Sequence, residues 1–137
     1  MATDEVNFTQ ETLDLLTSYI ANNVLNYLTT GTGSAGTTLT SEDLESPVDI
    51  QAGIRNLLPL TITTNGNFFR LKFRLTSAMP QSLPVDLQEF GMMQTSTATS
   101  GMVFGWTQPV ANTKDNQSQW DLTLSGRVVE IEEEEVL

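Results

Sequence analysis

The stretch Leu58-Pro-Leu60-Thr-Ile62-Thr-Thr-Asn65-Gly66-Asn-Phe-Phe69-Arg70-Leu71-Lys72-Phe73-Arg74-Leu75 reads as a β-hairpin. An Asn-Gly pair suits the two central positions of a type I′ turn, because both need φ > 0. With Asn65-Gly66 as the loop, Ile62 faces Phe69, Leu60 faces Leu71 and Leu58 faces Phe73. Those six apolar side chains then share one face and are expected in the core. Thr61, Thr63 and Pro59 oppose Arg70, Phe68 and Lys72 on the other face. A slip of one residue would turn the apolar set to water, so register is strongly specified.

After the hairpin, Ala78 to Pro84 reads as a loop punctuated by Pro80 and Pro84. Val85 to Met93 reads as a strand, with Gly91 allowing a bulge or a close backbone approach. Gln94–Ser100 is a run of small polar residues and reads as an exposed tip. Met102 to Thr107 is the return strand, and Pro109 to Gln119 a polar connection. The last strand alternates Trp120, Leu122 and Leu124 inward against Asp121, Thr123 and Ser125 outward. Gly126 marks a bulge there, and Glu132–Glu135 form a solvated tail or a repelling edge.

Before the hairpin, residues 1–6 make a polar arm. Asn7 or Thr9 can cap a helix over 8–28, with Glu11 near its positive end. Leu13, Leu16, Ile20, Val24 and Tyr27 recur at spacings of three and four, an amphipathic stripe that packs on the sheet. Leu15, Tyr19 and Leu28 widen that stripe and mark a subunit contact. Val48, Ile50 and Ile54 begin a sheet region that runs over 48–131 and closes on the 132–137 tail. The whole reads as one domain over 1–137, an all-β antiparallel β-sandwich with an N-terminal amphipathic α-helix.

The chain has 137 residues, no Cys and no His, and a net charge of −11 from 17 acidic and 6 basic residues. Missing Cys excludes disulfides and thiolate metal sites, and missing His removes the usual general base. No catalytic, cofactor or metal site is expected. The acid excess argues against nucleic acid or an anionic membrane as partner. Scarce lysine with so many carboxylates suggests a halophilic protein, against the alternative of an ordinary acidic, soluble surface. No charged segment followed by an apolar one opens the sequence, and no apolar run approaches membrane-spanning length.

Gly31-Thr-Gly-Ser-Ala-Gly36 matches the G-x-G-x-x-G fingerprint literally, but a helix precedes it and a Thr-rich stretch follows, so it reads as a flexible loop. Ser41-Glu42-Asp43-Leu44-Glu45 lacks the calcium-loop pattern and reads as a solvated turn or the first turn of a short helix. Arg70, Lys72 and Arg74 alternate along one strand and share a face. They either pair with acids of their own sheet or dock an acidic partner, including Glu132–Glu135 of a neighbouring subunit. Trp106 and Trp120 lie on apolar-alternating faces and read as core. Asn7-Phe-Thr9 and Asn116-Gln-Ser118 match the glycosylation triplet only.

Several segments, in order, resemble a family of small tailed-virus structural proteins of the tail, fibre and collar type. Family members carry a segment close to "vGTGttaPtssDtaL"; here Thr30-Gly31-Thr-Gly33 runs on to Thr37-Thr-Leu-Thr-Ser-Glu-Asp43-Leu44. A Thr/Val hairpin is matched from Leu60 to Leu75, and "sEvGLf" by Leu87-Gln-Glu89-Phe90-Gly91-Met92-Met93. The ending "lfarvtf…K…sitvtwtvt" is matched by Met102-Val-Phe-Gly-Trp106, Lys114 and Gln119-Trp-Asp-Leu-Thr-Leu124. The usual Arg after the first late strand is absent, and the Gln94–Ser100 tip is long. The resemblance implies a non-enzymatic virion component built on a β-sandwich, with the GTG segment a structural turn. Its expected partners are other virion proteins and further copies of itself around a symmetry axis. Capsid decoration is the nearest alternative, followed by a host-glycan-binding module using Trp106 or the Gln94–Ser100 loop.

Overall fold

The computed structural model describes residues 7–130, which form two antiparallel sheets and one short N-terminal helix. Helix α1 spans Gln10–Tyr19 and continues as one π turn, Ile20–Val24. Thr9 is the cap: its backbone is extended and its hydroxyl accepts the Thr12 N–H at 3.3 Å. The seven strands are β1 (Tyr27–Gly31), β2 (Pro47–Val48), β3 (Thr61–Asn65), β4 (Phe68–Leu75), β5 (Val85–Met93), β6 (Phe104–Lys114) and β7 (Trp120–Arg127). One sheet has the order β2-β1-β5-β6 and the other β3-β4-β7.

The sheets meet through one apolar core. Leu71, Phe73 and Leu75 of β4 pack with Leu28 of β1 and with Leu87, Phe90 and Met92 of β5. Leu25 and Ile50 complete it, and Ile20 and Val24 of the π turn pack against it from the helical side. On β7, Trp120, Leu122 and Leu124 are half-buried toward the core while Asp121, Thr123 and Ser125 are exposed, as the alternation requires. The expected all-β sandwich with an N-terminal helix is the observed fold.

The helix is shorter than its periodicity suggests. Leu25 N–H donates to the Ile20 carbonyl at 2.9 Å, and Leu25 itself leaves helical space at φ −92, ψ 62. Asn22, Asn23 and Asn26 explain the stop, since Asn side chains compete for backbone groups. The Asn26 amide donates to the carbonyls of Asn23 and Gln94. Tyr27-Leu28-Thr29-Thr30, aromatic and β-branched, then suits the strand β1 between β2 and β5.

The hairpin keeps its faces but shifts its loop by one residue. Asn65 opposes Phe68 and Ile62 opposes Leu71, so Gly66-Asn67 is the turn. Only Gly66 has positive φ (+60), the requirement of a type II′ turn rather than I′. Pairing also ends early. Leu60 N–H donates to the Lys72 carbonyl although Thr61 stands opposite Lys72, so two residues face one. Leu71 and Phe73 are buried and Phe69 half-buried, whereas Leu58, Leu60 and Ile62 are 63%, 54% and 40% exposed. The expectation of six buried residues therefore fails for Leu58, Leu60 and Ile62, which lead into and begin β3, an edge strand with no strand beyond it among the described residues.

Strand β5 runs from Val85 to Met93 as expected. Strand β6 does not stop at Thr107 but continues to Lys114, so the expected polar connection from Pro109 is strand over its first half. Pro109 is tolerated because β6 is an edge strand, where a missing N–H breaks no ladder. Glu89 opposes Thr107 while Leu87 opposes Asn112, so extra residues bulge on β6. Gly126 marks no bulge, since register to β4 runs unbroken past it. A Cβ there would stand 2.6 Å from the Phe69 ring, which covers the glycine.

Lys114, fully buried at the end of β6, donates to the Thr76 and Asp115 carbonyls, each at 2.9 Å. It ties the end of β4 to the β6–β7 turn and so clamps one sheet to the other. Phe73→Ala should cost about 3–5 kcal/mol in urea unfolding, whereas Leu60→Ala should change monomer stability by only about 0.5 kcal/mol. Equal losses at both positions would contradict this division of β3 from β4.

Candidate interaction surfaces

The outer face of the β3-β4-β7 sheet follows from register alone. Asn65, Phe68 and Arg127 form one row across the three strands, and Thr63, Arg70 and Ser125 the next. Thr61, Lys72 and Thr123 form the third row, and Arg74 meets Asp121 beyond it. Four of the chain's six basic residues thus stand on one face of a molecule with net charge −11. Only Arg74 is paired there: its Nε donates to Asp121 at 2.9 Å. Arg70, Lys72 and Arg127 have no ion pair among the described residues. A groove of about 710 Å³ lies over the first three rows, and Phe68, 54% exposed, gives it an apolar end. A smaller groove of about 290 Å³, bounded by Leu60, Lys72, Arg74 and Asp121, adjoins it.

A second surface is apolar. Leu15 and Tyr19 are 65% and 60% exposed, and Leu16 and Phe8 are also open to solvent. Helix α1 lies against β3 and β4, and Ile62 of the open β3 edge is exposed as well. Leu28, expected beside Leu15 and Tyr19, is instead 1% exposed in the core. It belongs to β1, so the contact predicted for it does not exist.

The Gly-rich and acidic segments turn out to be structural. Strand β1, not a helix, precedes Gly33, and no helix follows it among the described residues. Gly31 opposes Glu89, which is buried and accepts the Ser46 N–H at 3.2 Å. A Cβ on Gly33 would collide with the Glu89 carboxylate and come within 2.8 Å of the Glu45 Cβ. Glycine there permits loop and strand to close over a buried acid. The acids of the 42–45 segment form no helix; Glu42 and Glu45 are exposed, as a solvated segment requires, but every carboxylate there is engaged. Asp43 takes both 2.6 Å hydrogen bonds of the Arg55 guanidinium, Glu42 accepts the Gly101 N–H and Glu45 the Ala35 N–H. Each carboxylate pins a different loop, and Leu44 is buried against Met93 and Met102. Buried Asn56 likewise holds the 94–100 loop, donating to the Thr95 and Ala98 carbonyls. No cluster of three metal-ligating side chains occurs among the described residues.

Trp106 is half-buried and stacks between Phe90 and Phe104, with ring centroids 5.5 and 5.7 Å away. Its position is that of a core aromatic on an edge strand. The Glu132–Glu135 run lies outside the described residues. No family model matches the chain, and no curated protein or solved structure is detectably similar to it.

Hydrogen bonding and charge from Arg74 hold the Asp121 carboxyl below its ordinary 3.8. Asp115 is lowered too, first by the Gln117 N–H and then by the Ser118 hydroxyl. A carboxyl lowered on folding stabilises the fold above its unfolded pKa, and that contribution disappears as pH falls through the folded value. Melts should therefore lose stability below about pH 4, less steeply in Asp121→Asn. Gly33→Ala should cost about 1–3 kcal/mol, and less in a Glu89→Ala background, where the carboxylate clash is gone and only the close Glu45 Cβ contact remains. Additive costs in that double-mutant cycle would separate Gly33 from Glu89.

Proposed function

We propose that this chain is a non-enzymatic structural subunit of a tailed virus particle, placed at the tail, baseplate or fibre attachment. The observation that supports it best is the bare apolar flank of α1, Leu15, Leu16 and Tyr19, beside the open edge of β3. A lone monomer gains nothing from that surface, and an exposed apolar patch next to unpaired strand groups is what a packed assembly covers. The second support is the resemblance of the GTG and Glu-Phe-Gly segments to tailed-virus structural proteins. Gly31, Gly33 and Glu89 from those two segments meet in one contact, which gives the pattern a physical reason. Capsid decoration would use the same surface chemistry at another place in the particle.

In this reading the partners are other virion proteins and copies of the chain itself, arranged about the particle axis. Head-to-tail contacts close into rings when the rotation allows. Light scattering of the purified chain should give a mass above the monomer, and Leu15→Asp/Tyr19→Asp should reduce it to the monomer without loss of helix signal. A monomeric wild type, with the helix flank bare in the assembled particle, would contradict the proposal. The acid excess sets a further expectation: the melting temperature should rise from low to molar salt as carboxylate repulsion is screened. A flat or falling trend would remove the halophilic reading.

A further inference from the structure

We infer that the basic outer face of the β3-β4-β7 sheet receives the Glu132–Glu135 run of a second copy of this chain. The inference rests on the reading of the chain as an assembly subunit and adds which segment meets which face. Arg70, Lys72 and Arg127 stand there without an ion pair among the described residues, in a chain where acids outnumber bases 17 to 6. Their cross-strand neighbours are Thr61, Thr63, Thr123 and Ser125, which add hydroxyl donors and no competing charge. Among the described residues of the three strands, Asp121, engaged by Arg74, is the one acid on this face. Four consecutive carboxylates form the densest negative run in the chain.

Spacing agrees with charge. Arg70, Lys72 and Arg74 follow one another at every second residue of β4, about 6.6 Å apart along a strand. An extended Glu132–Glu135 segment repeats its carboxylates on one side at that same interval. Exposed Phe68 and Leu60 border the cations, giving Ile131 or Val136 an apolar contact at either end.

Direction selects a second copy over the chain's own tail. After Arg127, the Val128 N–H donates to the Asn67 carbonyl in the hairpin turn. The Glu130 carboxylate then accepts the Phe8 N–H at 3.0 Å, just before α1. The chain past β7 is thus tied to the start of α1, and no residue of α1 or of 128–130 lines the grooves over the basic face. The resulting contact is heterologous, face to tail, and propagates around a ring.

The test is sedimentation velocity on the full chain and two variants, each confirmed folded by circular dichroism. One variant carries Arg70→Gln and Lys72→Gln, the other Glu132→Gln, Glu133→Gln, Glu134→Gln and Glu135→Gln together. Wild type should associate at least tenfold more tightly at 0.1 M salt than at 1 M, where the screening length falls from about 10 Å to about 3 Å. Each variant alone should associate at least tenfold more weakly. Mixed one to one, they should associate more tightly than either variant alone, because one supplies an intact tail and the other an intact face. A mixture that stays monomeric while wild type assembles would overturn the inference in favour of docking within one chain. A Glu132–Glu135 variant that assembles like wild type, while Leu15→Asp/Tyr19→Asp does not, would overturn it and leave the subunit reading standing. A wild type that is monomeric at both salts would overturn it as well.

Discussion

Strand β4 is the central strand of its sheet, and its inward residues Leu71, Phe73 and Leu75 are all essentially inaccessible. They seal the core against Leu87, Phe90 and Met92 of the facing sheet. A strand has only two faces, so committing one to the core commits Phe68, Arg70, Lys72 and Arg74 to the surface. The basic face is thus a geometric consequence of the same alternation that makes the core. Its composition, however, is not a consequence: Thr or Ser at those positions would serve the fold as well. Placing four cations on one face of so acidic a chain costs the fold little and equips it for an electrostatic contact.

On the other side of the molecule the chain uses its carboxylates as ties. Glu89 is buried beneath Gly31 and Gly33, Asp43 grips Arg55, and Glu42 and Glu45 each cap a backbone N–H in another loop. Lys114 does the corresponding work with carbonyl acceptors from two segments. Long irregular connections are held this way without disulfides, in a chain that has no cysteine. Loops tied in this way leave the outer face of the smaller sheet and the flank of α1 as the surfaces without internal work.

Much of the architecture was legible because alternation is unambiguous where one face is buried. Strand β5 over Val85–Met93 and the inward set Trp120, Leu122 and Leu124 follow directly from it. The misreadings occur where two patterns overlap or where tertiary context decides. Tyr27 and Leu28 continue a helical spacing, yet three asparagines end the helix and β5 offers them a partner strand. Asn65-Gly66 fits one turn type and Gly66-Asn67 another, and the pairing chose the second. Gly126 reads as a bulge until the Phe69 ring is placed over it. Of the surface residues singled out, Arg70, Lys72, Arg74, Leu15 and Tyr19 are exposed and Leu28 is not. The role of Glu89 had no local signal, because its partners are more than forty residues away in the chain.

The central claim is that β3 and the flank of α1 are surfaces of assembly while β4 belongs to the fold. Amide hydrogen exchange on the dispersed and the assembled chain tests it most directly. The account predicts that β4 amides exchange slowly in both states. Thr61–Asn65 and α1 should exchange quickly in the dispersed chain and become protected on assembly. Identical exchange of β3 and α1 in the two states would contradict it.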